Sequence, residues 1–238
     1  ILFSLFIICL TLLSVHAAPS ISIGSMYDVL TPSMPSLNKR IYNIGDSSAF
    51  VRVEVLEIDP YKTGNETETA LKELQDETLI QERLLVTPMR LIIPPSGFQS
   101  VRILWVGNRD KEHYFRIRFV PVMPEKNDSF GLSEQSISEY RAKTIKAGVN
   151  VLTGYGTLVI VQPEKPRFDT QINSNNKHYI SVKNNGNTTI TLEDIRHCRA
   201  GNTDCGPSSR VFILPSREYQ VKKSGQLTTY FSLIEGNN

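Results

Sequence analysis

Apolar and polar positions alternate with a period of two along most of the chain. Val51, Val53 and Val55 alternate with Arg52 and Glu54, and Val101, Ile103 and Trp105 share one face of the run 100–106. In 113–122, Phe115, Ile117 and Phe119 lie on one face, with Tyr114, Arg116 and Arg118 on the other. Such alternation marks half-buried β-strands, whose successive side chains point to opposite faces. Weaker patterns of the same kind cover 20–30, 39–44 and 84–93, the last interrupted by Pro88. The turn residues Gly45-Asp46-Ser47 and Pro94-Pro95-Ser96-Gly97 punctuate them. The seventh pattern is longer. Residues 144–163 read TIKAGVNVLTGYGTLVIVQP, in which Ile145, Ala147, Val149 and Val151 alternate with Lys146, Gly148 and Asn150 before the apolar run 158–161. At ~3.3 Å per residue that stretch would reach about 60 Å, where a globular strand usually needs roughly 5–6 residues. Gly154 and Gly156 predict a bulge or kink that divides it, with 158–161 in this protein's own core and 145–151 left over.

Seven strands of this kind across 20–163 predict a sandwich of the immunoglobulin type. Residues 163–166, with Pro at both ends, predict a short stiff linker. Beyond it, 179–183, the turn Asn184-Asn185-Gly186-Asn187, and 189–192, 211–214 and 227–233 predict a second, smaller β-domain. The expected fold is therefore all-β, two sandwiches with boundaries at 18–163 and 164–238. Residues 1–17, ILFSLFIICLTLLSVHA, are apolar and end in Val15-His16-Ala17, with the small residues at −3 and −1 of a signal-peptidase site. The run is shorter than the ~20 apolar residues that span a bilayer, so it predicts a cleaved secretory leader. Residues 59–82 hold seven acids against Lys62 and Lys72 and read as a solvated insertion, within which ETALKELQDETL predicts one helix.

The formal net charge of +2, with both signs well mixed, gives no nucleic-acid footprint. Cys9 falls in the leader, and Cys198 and Cys205, enclosing RAGNTD, predict a disulfide that closes a small surface loop. Zinc, with His197 and Asp204 as added ligands, is the alternative, although the spacing is not a paired C-x-x-C. Two fragments imitate a hydrolase: Gly45-Asp46-Ser47 resembles the GDS box of GDS-type esterases, and Asp194 and His197 have a matching D-x-x-H spacing. A nucleophilic Ser with a His base requires the Ser turn to lie between a strand and a helix in those enzymes, whereas Ser47 leads directly into a strand. The pair reads as a hairpin turn and a strand-end charge pair. Gly154-Tyr155-Gly156 precedes no helix and carries no phosphate signal. No catalytic constellation remains, and the reading is a non-enzyme without cofactor or metal.

Several segments in combination resemble one family. Val86-Thr87-Pro88 with Arg90-Leu91, then Pro95-Ser96-Gly97 and Gln99-Ser100-Val101-Arg102-Ile103, form the first, and Tyr114 through Pro121, YFRIRFVP, the second. Asn184-Asn185-Gly186-Asn187 and Leu214-Pro215-Ser216 add weaker matches. Together they resemble the periplasmic pilus-assembly chaperones of the chaperone-usher pathway, over nearly all of the chain beyond the leader. The acidic insertion suggests the branch that serves colonisation-factor fimbriae.

The resemblance implies two immunoglobulin-like domains set as a boomerang, in the periplasm. Their last N-domain strand completes an unfinished fimbrial subunit by donor-strand complementation, and the subunit is then delivered to an outer-membrane usher. A subunit lacking its final strand exposes an unpaired sheet edge, and an added strand supplies main-chain hydrogen bonds and alternate side chains for its groove. The donated residues would be Ile145, Ala147, Val149, Val151 and Thr153. Self-association of free copies is a second use of the same strand, and a fimbrial structural subunit or adhesin is the competing assignment. The family's cleft holds the subunit's terminal carboxylate with an Arg on the first strand and a Lys on the seventh. Here the first strand carries no base and Leu158 stands at the Lys position, so Arg116 and Arg118 are the substitutes. Glu112 matches the acidic residue of the interdomain contact, with Gln162 where its Arg partner would fall.

Overall fold

The computed structural model of the chain describes residues 19–62, 68–71, 83–146, 152–199 and 204–236. The expected leader lies outside the described residues. In chain order the strands are β1 (Ile21–Ser22), β2 (Tyr27–Leu30), β3 (Ser36–Asn43), β4 (Ala49–Ile58), β5 (Glu68–Ala70), β6 (Arg83–Thr87), β7 (Arg90–Ile93), β8 (Phe98–Val106) and β9 (His113–Val122). Helix α1 (Glu134–Lys146) follows, then β10 (Tyr155–Val161), β11 (Thr170–Asn173), β12 (Tyr179–Asn184), β13 (Ile190–Cys198), β14 (Ser209–Ile213), β15 (Glu218–Lys222) and β16 (Thr228–Ile234). Four sheets result, two in each half of the chain.

A four-stranded sheet, β1-β3-β8-β6, faces a six-stranded one ordered β2-β10-β9-β4-β5, in which β7 also pairs with β4. Between them lie the inward residues that the alternation predicts: Val51 and Val53 of β4, Val101, Ile103 and Trp105 of β8, Phe115, Ile117 and Phe119 of β9, and Val159 and Val161 of β10. Burying each large apolar side chain contributes ~1.5–3 kcal/mol, and this core is the main support of the first sandwich. The second sandwich packs β11-β12-β15 against β14-β13-β16 around Val182, Ile190, Leu192, Ile213 and Val221. Two local expectations change. Pro88 does not interrupt one strand but separates two, because β6 pairs with β8 in one sheet and β7 with β4 in the other. The helix expected over ETALKELQDETL begins instead as strand β5, hydrogen-bonded along β4 from Leu56 to Ile58; residues 72–79 of that expectation lie outside the described ones. Pairing with an open edge of β4 satisfies the backbone at 68–70 and overrides local helix preference.

The two sandwiches repeat one corner. Asn43, at the end of β3, accepts from Gly45 N through Oδ1 at 3.0 Å and donates through Nδ2 to the carbonyls of Ser47 (2.8 Å) and Ile93 (3.0 Å). Asn184, at the end of β12, accepts from Gly186 N at 2.9 Å and donates to the carbonyls of Thr188 (2.8 Å) and Ile213 (2.9 Å). Facing them are matching turns, with Ser96 at φ 56° and Ser216 at φ 63°, whose next residues Gly97 and Arg217 accept from the Asn43 and Asn184 backbone amides. Gly186 is obligatory in its copy, since a Cβ there would stand 2.3 Å from the Arg167 carbonyl. Both Asn side chains are buried. Truncating either one strands several backbone groups, each worth ~1–3 kcal/mol when left unsatisfied, so Asn43→Ala and Asn184→Ala should each cost about 3 kcal/mol by denaturant melting. Values below about 1 kcal/mol would show that these corners are not structural nodes.

Candidate functional site

The first candidate is the open step at one end of the six-stranded sheet. β2 runs parallel to β10 and covers it only from Leu158 to Val161. Upstream, Tyr155, Gly156 and Thr157 pair with β9 on one side, and among the described residues no strand pairs with their other side. β9 continues past Phe119 to Val122, paired there with Phe50–Arg52 of β4 on one side only. Thr157, Val159 and Val161 are fully buried, so odd-numbered positions of β10 face the core. An extended continuation upstream keeps that parity, and Thr153, Val151, Val149, Ala147 and Ile145 would all share the core-side face.

These residues are not all strand in the free chain. Thr153 is exposed just ahead of β10, and Ala147, Val149 and Val151 lie outside the described residues. Ile145 belongs to α1, which corrects the strand expected from residue 144. An unpaired edge strand leaves its backbone groups without partners, whereas a helix satisfies them internally. Ser133 starts that helix by accepting from Ser136 N at 3.1 Å. The kink also narrows. Gly154 precedes β10, but Gly156 lies within it, its open side filled by the Arg116 stem 3.4 Å from where a Cβ would sit.

Arg116 and Arg118 project from β9 on the face away from the core, and both are paired with one carboxylate, Glu68 of β5. Their charge is thus half neutralised by a residue whose strand placement the sequence pattern did not reveal.

The second candidate is the cleft between the sandwiches. β2 and β10 place Tyr27 opposite Leu158. The Tyr27 ring meets Phe212 of β14 edge-on at 5.2 Å, lies 4.6 Å beneath the Arg210 guanidinium, and its hydroxyl reaches Glu193 at 3.3 Å. Arg210 pairs with Glu193 at 2.8 Å and keeps two-fifths of its side chain exposed. A bulge in β13, with Asp194 at φ 53°, sits beside Glu193. Nothing in the local sequence of 209–213 links Arg210 to Tyr27; the contact exists only through the packing of the two units.

Glu112 stands just ahead of β9 and is buried. Its carboxylate accepts from Thr188 Oγ1 (2.7 Å), Thr189 N (2.9 Å), Thr189 Oγ1 (2.6 Å) and Tyr114 Oη (2.5 Å), so it bridges the first sandwich to the second through four donors and no cation. Burial, then the Glu112 charge, raise the Tyr114 phenol well above its ordinary range, which keeps it an O–H donor. Arg109 is buried beside it and donates to the carbonyls of Leu30 (3.1 Å) and Gln162 (2.9 Å), clamping β2 to the linker. Desolvation lowers its pKa. Lys39, pointing inward from β3, donates to Asp28 at 2.9 Å, and Asp28 also accepts from Thr157 Oγ1 at 2.9 Å. These buried charges tie β2, β3 and β10 together.

Cys198 and Cys205 form a disulfide with an S–S length of 2.06 Å, which leaves no thiolate for a metal. Ser47 follows β3 in the first sandwich and His197 lies in β13 of the second, where it contacts Thr229 at 3.0 Å; the two do not assemble a nucleophile and base.

The fold defines a class: paired immunoglobulin-like β-sandwiches of the kind found in fimbrial chaperones. Among solved structures the chain is similar to the class 5 fimbriae chaperone CfaA, with a TM-score of 0.56 and 20% identity, covering 92% of this chain and 94% of that one. By sequence it is 27% identical over 169 residues to a CS1 fimbrial protein of Escherichia coli that is described as a subunit of those fimbriae. That match takes in 70% of this chain but 65% of the relative, so the chain spans less than two thirds of that protein's length. It is 21% identical over 217 residues to the probable fimbrial chaperone EcpB of Escherichia coli (strain SMS-3-5 / SECEC), 88% of this chain and 84% of that protein. No protein-family model matches the sequence.

Proposed function

We propose that the chain is a periplasmic chaperone that binds, folds and caps fimbrial subunits by lending them a strand, then passes them to an outer-membrane usher, without catalysis. The observation that carries this reading is the uncovered upstream edge of β10, from which the sequence continues in apolar alternation with the parity of the core face. A strand added at such an edge gives a partner main-chain hydrogen bonds, and its alternate side chains fill the partner's groove. In this reading residues 18–163 form the donor-bearing unit and 164–238 the second wall of the cleft. Likeness to CfaA in fold and to EcpB over most of both chains supports it.

Within the cleft, Arg210 is the better candidate than Arg116 or Arg118 to receive a subunit's terminal carboxylate. It sits over Tyr27, beside Leu158, with exposed surface, whereas both β9 arginines share Glu68. A structural subunit is the second reading, favoured by the likeness to a component of CS1 fimbriae. Co-expression separates them. Periplasmic recovery of a fimbrial subunit should rise severalfold with the wild-type chain and fall at least about tenfold from that level with Arg210→Gln, the scale of one charge-assisted contact. Unchanged subunit recovery with the wild type, together with the chain itself incorporated into polymerised fimbriae, would sink the chaperone reading.

A further inference from the structure

Helix α1 belongs to neither sheet, yet its last turn contains Ile145, the first residue of the proposed donor pattern. It touches the sandwich along one narrow stripe. Ile137 is buried, and Tyr140 and Arg141 are half-buried, at the i, i+3 and i+4 spacing of a single helix face, while Glu134, Gln135, Ser136, Ser138, Glu139 and Ala142 are exposed. The Tyr140 ring packs edge-on against Phe50 with centroids 4.8 Å apart, and its hydroxyl donates to the Ser48 carbonyl at 2.7 Å. Phe130 adds a second edge contact to Phe50 at 5.4 Å, and Arg141 reaches the Pro124 carbonyl at 3.3 Å and Glu125 at 3.1 Å. Phe50 lies outside the core cluster and out of phase with Val51 and Val53, so this contact sits on the outer face of the sheet, at the start of β4.

Ile145 cannot be helical and extended at once. A 13-residue helix is marginal in water by itself, so the winding of α1 depends on this docking. We propose that the Tyr140–Phe50 contact is an autoinhibitory latch, which keeps α1 wound and withholds the start of the donor strand until a subunit is taken up. The inference rests on the donor-strand reading above. When only a fraction of free molecules is competent, apparent affinity falls by that fraction, so loosening the latch should tighten binding and strengthening it should weaken binding.

The test measures capture of a purified fimbrial subunit, refolded by dilution in the presence of the full chain. Tyr140→Ala should raise apparent affinity about three- to tenfold, the scale of one aromatic pair with its hydrogen bond. Ser138→Ala, an exposed change toward a better helix former, should lower it about twofold. Amide hydrogen exchange adds a direct readout: amides of 137–146 should be protected in the free chain and lose that protection in the complex. The latch is overturned if Tyr140→Ala, melting as the wild type does, binds no tighter, or if the α1 amides stay protected in the complex. Failure of the functional reading looks different, because the wild-type chain then captures no subunit at all.

Discussion

Val149→Asp combined with Val151→Asp is expected to abolish recovery of a co-expressed fimbrial subunit while the chain itself accumulates and melts as the wild type does. The argument starts from parity. Thr157, Val159 and Val161 face the core of the first sandwich, so an extended continuation puts Val149 and Val151 on that same side, where a subunit missing its own strand would present a groove. Burying each valine contributes ~1.5–3 kcal/mol, and an ionised carboxylate in an apolar groove adds a desolvation penalty of several more. A combined loss above roughly 6 kcal/mol is more than four orders of magnitude in affinity. The first core, among the described residues, closes without either valine, so free stability should hold. Asn150→Asp supplies the control: it brings the same charge between them at the opposite parity, and should reduce recovery far less. If the double variant still rescues the subunit, or if Asn150→Asp is as damaging, the strand-lending mechanism is wrong.

How much of this was legible beforehand depends on whether the deciding contact is local. The inward faces of β4, β8 and β9 follow from alternation at Val51, Val101 and Phe115, because a period-two pattern needs no knowledge of its partner. The short loop closed by Cys198 and Cys205 was legible for the same reason. Glu68 was misassigned to a helix, since its strand state comes from the open edge of β4, which no window of sequence around residue 68 contains. Ile145 carries strand alternation but is helical in the free chain, because a donor strand has no partner until a second protein supplies one. Arg210 over Tyr27 joins positions far apart in sequence and was invisible for that reason. The paired corners at Asn43 and Asn184 did have a signal, an Asn-x-Gly at the end of each strand followed downstream by a Pro-Ser turn. Only their side-by-side comparison turns it into a repeat.

The second large effect is expected at Glu112, and it separates a charge bridge from an acceptor node. All four of its partners donate: Tyr114 Oη, Thr188 Oγ1, Thr189 N and Thr189 Oγ1. Only an acceptor-only group satisfies such a set, and a carboxylate is one. Glu112→Ala should therefore cost on the order of 3–5 kcal/mol, a large share of the ~5–15 kcal/mol by which domains are stable. Glu112→Gln is the sharper probe. It preserves shape and one carbonyl oxygen, but turns an amide NH2 toward hydroxyl and backbone donors, so it should lose most of the same stability and should also uncouple the sandwiches. Calorimetry would then resolve two transitions where the wild type melts in one. Were Glu112 instead held chiefly for its packing volume, Gln would melt with the wild type in a single transition. The cleft lies between the two units that this residue joins, so the same variant should also weaken subunit capture even though Glu112 itself is buried.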